Sequence, residues 1–178
     1  MSDAENLKVC VVGLGSMGLG IAGSLLRGGF AVTGCDVNPD MRAAFAAMGG
    51  AVSEGPAAAA KGCDAVISVV VNAAQTETVL FGAQGAAATL APGAVILSCA
   101  TMSPDAARDF DARAQAMGLA YLDAPISGGA ARAAAGEMTV MASGAAAAFD
   151  RARPVLNCIA AKVYELGDAA GVGAAFKI

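Results

Sequence analysis

The chain has 178 residues, a formal net charge of −4 and a pI near 4.7. This length fits one domain with a core of ordinary size, so we expect a single unit over residues 1–178. The negative charge argues against a nucleic acid or an anionic membrane surface as the partner. The sequence contains no histidine, which excludes imidazole ligands and histidine-based triads, and we expect no metal site.

The amino terminus and the cysteines indicate the compartment. The first eight residues, MSDAENLK, are polar and acidic and lack the basic and apolar segments of a secretory signal. The longest largely apolar run, residues 65–71, is far too short to span a membrane. We therefore expect a cytoplasmic protein. The cysteines form no close pair and are predicted to be buried thiols: Cys10, Cys35, Cys63, Cys99 and Cys158.

Short apolar runs rich in β-branched residues alternate with alanine-rich stretches along the first 123 residues. We predict strands over 8–12, 31–36, 65–71, 94–98 and 119–123. Helices are predicted over 16–27, 39–48, 73–80 and 104–117. The strands are apolar without strict alternation, so both faces of their sheet should be covered. This pattern predicts an α/β fold with a doubly wound, mostly parallel sheet and helices on both faces.

The pattern changes after residue 123. Two further short strands are predicted over 138–142 and 162–165, with a helix over about 145–158 between them. The alanine-rich tracts at 57–60 and 145–148 lie at helical spacing beside apolar residues, so we expect ordered helix there.

The segment GLGSMGLGIAG at residues 13–23 contains the pattern G-x-G-x-x-G twice, starting at Gly13 and at Gly18. In a chain with 23 glycines the pattern is weak evidence by itself. Only the first copy follows a predicted strand and opens a predicted helix, whose free N–H groups and dipole would face a pyrophosphate. The second copy lies inside that helix. We therefore assign a dinucleotide to the first copy alone.

Asp36 closes the second predicted strand, about 20 residues beyond the loop, where dinucleotide sites place the acid that binds the ribose 2′-hydroxyl. Such an acid on its own is more often a loop cap. The order of strand, glycine loop, helix and acid favours cofactor binding. A carboxylate there repels a 2′-phosphate, which predicts NAD rather than NADP. Arg42 is the nearby cation that could weaken this preference, and the sequence leaves its effect open.

Four segments resemble the β-hydroxyacid dehydrogenases, a family that includes 3-hydroxyisobutyrate dehydrogenase, tartronate semialdehyde reductase and 6-phosphogluconate dehydrogenase. They are VVGLGSMG at 11–18, DAPISGG at 123–129, GEMTVMASG at 136–144 and GVGAAFKI at 171–178, in the expected order along the whole chain. Within the family, VVVNAAQ at 69–75 and the stretch at 136–144 most resemble the branch containing L-threonate dehydrogenase.

The resemblance implies a Rossmann-type nucleotide domain and NAD-dependent oxidation of a short-chain hydroxy acid. L-threonate or a related four-carbon sugar acid is the first choice of substrate, with 3-hydroxyisobutyrate dehydrogenase and tartronate semialdehyde reductase activities as alternatives. An imine reductase is disfavoured because those relatives replace the catalytic lysine, which this chain matches at Lys177. An alternative of another class is a non-catalytic dinucleotide-binding module.

The resemblance also implies the site residues. Lys177 matches the catalytic lysine, which exchanges a proton with the substrate hydroxyl as general acid and base. Thr101 matches a threonine near the nicotinamide and the substrate. Asn72 stands where many relatives carry proline, and we expect it to contact the ribose or the substrate. The segment implied to bind the substrate carboxylate is Ser127, Gly128 and Gly129. The full set of predicted cofactor-binding residues is Gly13, Leu14, Gly15, Ser16, Met17, Gly18, Asp36, Val37, Asn38, Val71, Asn72 and Thr101.

Members of this family continue beyond the catalytic lysine into a helical second domain that completes the substrate pocket and mediates dimerisation. This chain stops at Ile178, so we expect the C-terminal helical domain to be absent. We expect the 178-residue chain to bind NAD weakly and to turn over little or nothing by itself. A homo-oligomer is expected only of a longer parent, through the missing domain.

Overall fold

The computed structural model describes residues 6–178. The first five residues, part of the segment on which the signal-peptide expectation rests, lie outside the described residues. The strands are β1 Lys8–Val12, β2 Ala31–Cys35, β3 Ala51–Ser53, β4 Ala65–Ser68, β5 Val95–Ser98, β6 Ala120–Asp123, β7 Ile126–Ser127, β8 Met138–Ala142 and β9 Ala160–Glu165. The helices are α1 Gly18–Arg27, α2 Pro39–Ala47, α3 Pro56–Ala59, α4 Ala73–Phe81, α5 Pro104–Ala116, α6 Gly129–Ala135, α7 Ala146–Ile159 and α8 Val172–Lys177, with a 3₁₀ turn at Ala86–Thr89.

The first six strands form one parallel sheet in the order β3-β2-β1-β4-β5-β6. The chain moves outward from β1 to β3, crosses to β4 and then moves outward in the other direction. This is the doubly wound order of dinucleotide-binding domains, so the predicted Rossmann-type fold is confirmed. In such sheets ligands bind at the carboxyl ends of the strands where the order reverses, which here is between β1 and β4.

Both faces of this sheet are covered, as the apolar strands predict. In β1, Val9 and Val11 pack in a cluster with side chains of α1 and α7. Cys10 and Val12 point to the other face and pack in a second cluster with side chains of α3 and α5. Each fully buried valine or leucine stabilises the fold by about 1.5–3 kcal/mol, so the two clusters hold the carboxyl edge of the sheet rigidly in place.

A second, three-stranded sheet follows in the order β7-β8-β9. Strand β7 is antiparallel to β8, and β9 is parallel to β8, with α7 as the crossover between them. The predicted strand at 138–142 is confirmed, while β9 begins two residues before the predicted 162. A bridge between Asp123 and Ser143 connects this sheet to the end of β6. The two-residue strand β7 is too short to be recognised by periodicity.

Several boundaries differ from the prediction at the carboxyl edge. Strand β4 ends at Ser68 instead of 71, and Val71 is 76% exposed. The N–H of Val69 still donates to the Val12 carbonyl at 2.8 Å, and the Val69 carbonyl then lies against Gly13. Helix α1 begins at Gly18 instead of 16. The helix expected at the alanine-rich tract 57–60 is confirmed as α3, Pro56–Ala59. Strand β3 and the 3₁₀ turn were not predicted, because neither is longer than four residues.

Four of the five cysteines are buried free thiols, which confirms the prediction, and Cys158 is half-buried. Burial raises the pKa of the Cys35 thiol to about 11 and that of the Cys99 thiol to about 12. Over residues 6–178, no helix combines the length and apolarity that crossing a membrane requires. The same residues bring together no group of three or more acidic or cysteine side chains that could hold a metal ion.

Candidate functional site

A cleft of about 480 Å³ opens at the carboxyl edge of the parallel sheet, where the strand order reverses. Its walls are the loop after β1, the end of β2, residues 69–71 and the first two turns of α4. The volume lies within the range of small-ligand sites, roughly 300–1,000 Å³. The fold therefore places an open, mostly apolar cleft where a doubly wound sheet binds its ligand.

The three glycines of the first copy have different steric roles. Gly13 has a φ of +94°, and a Cβ added there would lie 2.2 Å from the carbonyl oxygen of Val69. A Cβ at Gly18 would lie 1.8 Å from the carbonyl oxygen of Gly13, so this glycine lets α1 pack against the turn. A Cβ at Gly15 would meet nothing within 4 Å. Packing thus requires Gly13 and Gly18, whereas Gly15 leaves open space beside the main chain.

The start of α1 presents backbone donors without acceptors. The N–H groups of Gly15, Ser16 and Met17 have no hydrogen-bond acceptor among residues 6–178. The first turn of α1 carries no acidic residue, and its N-cap residue makes no side-chain hydrogen bond. Uncapped donors at a helix N-terminus, together with the helix dipole, favour an anion. These groups fit the pyrophosphate of a dinucleotide.

The second glycine copy serves packing. It lies within α1, as predicted, and a Cβ on Gly20 would be 2.6 Å from the backbone nitrogen of Ala134 in α6. On the next turn of α1, Ser24 Oγ donates to the Ala133 carbonyl at 2.8 Å. Arg27 donates to the Ala134 carbonyl. Within the second copy, Gly20 therefore lets the backbones of α1 and α6 come into contact.

Asp36 lies directly after β2 at the rim of the cleft, and it is half-buried. Its Oδ2 accepts from the Leu14 N–H and its Oδ1 accepts from the Asn38 N–H, both at 2.8 Å. Each oxygen keeps a further lone pair for a ribose hydroxyl. Leu14 is fully buried, and its N–H is bound to Asp36. Among the predicted cofactor residues, Leu14 therefore supports Asp36 and presents no free donor to a ligand.

Arg42 is held by protein acceptors on the α2 side of the loop. Its Nη1 donates to the carbonyl oxygens of Asp36 at 2.7 Å and Val37 at 3.1 Å. Its Nη2 forms an ion pair with Glu54 Oε1 at 3.1 Å. Both terminal nitrogens of the guanidinium are thus bound to protein acceptors. Glu54 also adds a second carboxylate to the lining of the cleft. Sequence reasoning missed Glu54, because it lies in a short connection with no motif of its own.

Two further predicted residues line the cleft with apolar side chains. Val37 is 91% exposed and Val71 is 76% exposed, each at the rim beside Asp36 or α4. Exposed valines on a protein surface gain by burial against an aromatic ring, because burial removes apolar surface from water. Both positions suit contacts with adenosine.

The two predicted asparagines are helix caps. Asn38 Oδ1 accepts from the Asp40 N–H at 2.9 Å at the start of α2. Asn72 Oδ1 accepts from the Gln75 N–H at 2.9 Å at the start of α4. An N-cap hydrogen bond stabilises a helix by about 1 kcal/mol, so these side chains have a structural role whether or not they touch a ligand. Thr101 is exposed and lies on the same edge, three residues after β5.

A second group of predicted residues meets beyond β6. Strand β7 ends at Ser127, and Gly128 and Gly129 then adopt φ values of +142° and +73° that favour glycine. Helix α6 opens at Gly129, and all three residues are exposed. Lys177 Nζ donates to the carbonyl oxygen of Ile126 at 3.0 Å. The structure therefore brings the amine of Lys177 next to the segment that the resemblance assigns to the substrate carboxylate.

Asp123 is a residue to which the sequence assigned no role. It is fully buried at the end of β6, where its Oδ2 accepts from the N–H groups of Gly171 at 3.0 Å and Ala174 at 2.7 Å. Ser143 Oγ lies 3.4 Å from the same oxygen. Desolvation raises the pKa of the Asp123 carboxyl above its ordinary value, and these hydrogen bonds oppose the rise. The one available signal was that Asp123 opens the DAPISGG segment.

A family model described as the NAD binding domain of 6-phosphogluconate dehydrogenase matches residues 8–167. The chain belongs to this family. The match confirms the predicted NAD-binding domain and the family resemblance seen in the sequence. The glycine loop, the uncapped start of α1 and Asp36 all lie within the matched residues.

Two similar proteins and one similar solved structure show how much of its relatives this chain covers. The L-threonate dehydrogenase of Cupriavidus necator is 52% identical over 171 residues, which cover 96% of this chain and 58% of that protein. That of Pectobacterium atrosepticum is 44% identical over 179 residues, covering 100% and 59%. A solved structure described as 3-hydroxyisobutyrate dehydrogenase from Salmonella typhimurium aligns with a TM-score of 0.93 at 44% identity, covering 97% of this chain and 60% of that one. The chain thus spans 58–60% of the length of these relatives.

Proposed function

We propose that the chain is the cofactor-binding part of an NAD-dependent hydroxy-acid dehydrogenase that oxidises L-threonate or a related four-carbon sugar acid. The observation that carries the proposal is the 3.0 Å hydrogen bond from Lys177 Nζ to the Ile126 carbonyl, which holds an amine beside Ser127, Gly128 and Gly129. This pair of features lies at the same edge of the sheet as the cofactor cleft. A protein that only bound a dinucleotide would need neither.

The cofactor half of the mechanism uses residues 13–18, the cleft and Asp36. The uncapped N–H groups at the start of α1 bind the pyrophosphate, with Gly15 leaving room for its approach. Asp36 accepts hydrogen bonds from the ribose hydroxyls, and Val37 and Val71 cover the adenosine. The engaged state of Arg42, together with the carboxylates of Asp36 and Glu54, favours NAD over NADP. Bound NAD supplies the hydride acceptor.

The substrate half uses the segment after β7 and the end of α8. The Ser127 hydroxyl and the N–H groups of Gly128 and Gly129 bind the substrate carboxylate. The Lys177 amine accepts the proton of the substrate hydroxyl as the same carbon gives up its hydride, and it returns that proton in the reverse reaction. The hydrogen bond to Ile126 uses one donor of Lys177 and fixes the direction of the side chain.

The activity test places this chain in a protein of the relatives' full length. A panel of hydroxy acids with three to six carbons is assayed with NAD and with NADP by the absorbance of reduced nicotinamide. L-threonate is expected to give the highest kcat/KM with NAD. Preference for 3-hydroxyisobutyrate would contradict the substrate assignment. Binding of NAD without turnover of any acid would favour the non-catalytic module.

Lys177 is tested in the same protein, with Lys162 as the matched control because it is an exposed lysine of β9. Lys177→Ala is expected to lower kcat at least 100-fold, the order of magnitude of general acid–base catalysis, with the affinity for NAD unchanged. Lys162→Ala is expected to leave both unchanged. Turnover by Lys177→Ala at the unsubstituted rate would show that the lysine does not transfer the proton.

A further inference from the structure

The buried carboxylate of Asp123 caps a helix that belongs to a different part of the chain. Helices commonly begin with Ser, Thr, Asp or Asn at the N-cap, whose side chain binds the first free N–H groups. The N-cap of α8 is Gly171, with a φ of +99° and no side chain to do so. Asp123 Oδ2 instead accepts from Gly171 and from Ala174, 48 and 51 residues away in sequence. The capping group of α8 is therefore supplied by β6.

Ser143 completes this cap. Its Oγ accepts from the N–H of Gly173 at 2.9 Å. The main chains of Asp123 and Ser143 exchange two hydrogen bonds, of 3.0 and 2.9 Å, which fix the two side chains relative to each other. Together, the two side chains bind three N–H groups at the start of α8, those of Gly171, Gly173 and Ala174. The orphan donors of a helix start are thus bound by a rigid pair at the junction of the two sheets.

Two glycines let the start of α8 pack closely against its neighbours. A Cβ at Gly173 would lie 2.5 Å from the Met141 carbonyl oxygen and 3.0 Å from that of Asp123, so this glycine lets the backbone of α8 rest directly on β6 and β8. A Cβ at Gly171 would lie 2.8 Å from a guanidinium nitrogen of Arg108 and 3.0 Å from the Pro104 carbonyl oxygen, so this glycine lets the N-cap of α8 pack against α5.

Helix α8 has six residues and cannot hold its own position. Isolated helices shorter than about 12–15 residues are marginal in water. Lys177 lies at the end of α8, three residues or about 4.5 Å of helix rise beyond Ala174. The position of its amine is therefore determined by the anchors at the helix start and by the hydrogen bond to Ile126.

We propose that Asp123, together with Ser143, is a positioning residue that fixes the start of α8 and thereby holds the Lys177 amine beside Ser127, Gly128 and Gly129. Asp123 and Ser127 lie four residues apart, so one short segment carries both the helix anchor and the carboxylate-binding group. This inference rests on the proposed role of Lys177.

The test uses the 178-residue chain and NMR. Asp123→Asn removes the charge, so the N–H groups of Gly171 and Ala174 lose a charged acceptor and keep at most a neutral amide oxygen, while the NH₂ group takes the position of Oδ1, which has no hydrogen-bond partner among the described residues. Amide exchange at Gly171 and Ala174 is expected to accelerate at least tenfold, while exchange at Val11 in β1 stays unchanged. The side-chain ammonium signal of Lys177 is expected to move toward that of the exposed Lys162. An unchanged Lys177 signal would overturn the proposal, even with faster amide exchange.

Two further variants make the result specific. Ser143→Ala keeps the carboxylate and is expected to accelerate exchange mainly at Gly173, with a smaller shift of Lys177; it also provides the test if Asp123→Asn does not fold. Ser24→Ala is the matched control, because it removes a buried hydroxyl that binds α6 and does not touch α8. It is expected to leave Lys177 unchanged, and an equal shift in Ser24→Ala would overturn the proposal.

Activity separates this inference from the proposed function. In a protein of the relatives' length, Asp123→Asn is expected to lower kcat at least tenfold with the KM for NAD unchanged. If Asp123→Asn moves the Lys177 signal but Lys177→Ala leaves turnover intact, the positioning is correct and the proposed function is wrong. If Lys177→Ala abolishes turnover and Asp123→Asn affects neither the signal nor kcat, the positioning is wrong.

Discussion

Gly15→Ala is expected to weaken NAD binding without weakening the fold. A methyl group there meets nothing within 4 Å, and Gly15 does not have a positive φ. The native state therefore bears no steric cost, and restricting the unfolded chain adds about 0.4–1 kcal/mol of stability. Thermal denaturation should show an equal or slightly higher Tm.

The same methyl group occupies the space through which a pyrophosphate reaches the N–H groups of Gly15 and Ser16. Displacing the phosphate from one of these charge-assisted hydrogen bonds loses about 1.5–3 kcal/mol. This corresponds to a Kd for NAD that is roughly 10- to 150-fold higher. Isothermal titration calorimetry with NAD measures it directly on the 178-residue chain.

Gly18→Ala is the matched control from the same loop. Its Cβ would lie 1.8 Å from the Gly13 carbonyl oxygen, so the start of α1 must move. Overpacking of this kind typically costs 1–3 kcal/mol, and the Tm should fall by several degrees. The reasoning would be refuted if Gly15→Ala bound NAD with unchanged Kd, or if it lowered the Tm as much as Gly18→Ala.

Three further outcomes are expected. Glu54→Gln should raise the affinity for 2′,5′-ADP relative to 5′-AMP by about two- to fivefold, a small factor because the Glu54 side chain is 85% exposed. In the same titration, adding Arg42→Ala should abolish this gain. If Glu54→Gln leaves the ratio of the two affinities unchanged, Asp36 alone disfavours the 2′-phosphate. Because burial raises the pKa of Cys99 to about 12, roughly 10⁻⁴ of it is thiolate at pH 8. In a Cys158→Ser variant, which lacks the half-buried thiol, Ellman's reagent should react only as fast as the protein unfolds, and rapid labelling of that variant would contradict the burial. Desolvation raises the pKa of the Asp123 carboxyl above its ordinary 3.8, so its contribution to the free energy of unfolding is present below pH 3.8 and is lost as the pH rises through the raised pKa. Urea unfolding from pH 4 to 7 should therefore show the unsubstituted protein losing stability relative to Asp123→Asn. A gain relative to Asp123→Asn would show that the pKa is lowered in the folded protein.

The sheet was predictable because its signals are local. The four residues Val9–Val12 form an apolar run that ends in a glycine turn, and the acid at position 36 follows a second such run at the expected distance. These features depend only on neighbours in sequence. The choice between the two glycine copies followed from the strand that precedes one of them. The contact of Gly20 with α6 gives the physical reason for a glycine at that position of the second copy.

The anchoring of Lys177 was not predictable in this way. The partners of Asp123 lie 48 and 51 residues later in the chain, and no periodicity links them. The ion pair between Arg42 and Glu54 depends on β3, a three-residue strand that no pattern indicates. The resemblance implied a catalytic role for Lys177, but the position of this residue depends on tertiary contacts that only the folded chain shows.

The crossing of α1 and α6 links the two halves of the site mechanically. Helix α1 presents its start to the cleft, and α6 opens at Gly129 in the other binding segment. At Gly20 the two backbones touch with no side chain between them, so no rotamer change can absorb a displacement. The position of the glycine loop relative to the segment that opens α6 is thereby set by main-chain geometry.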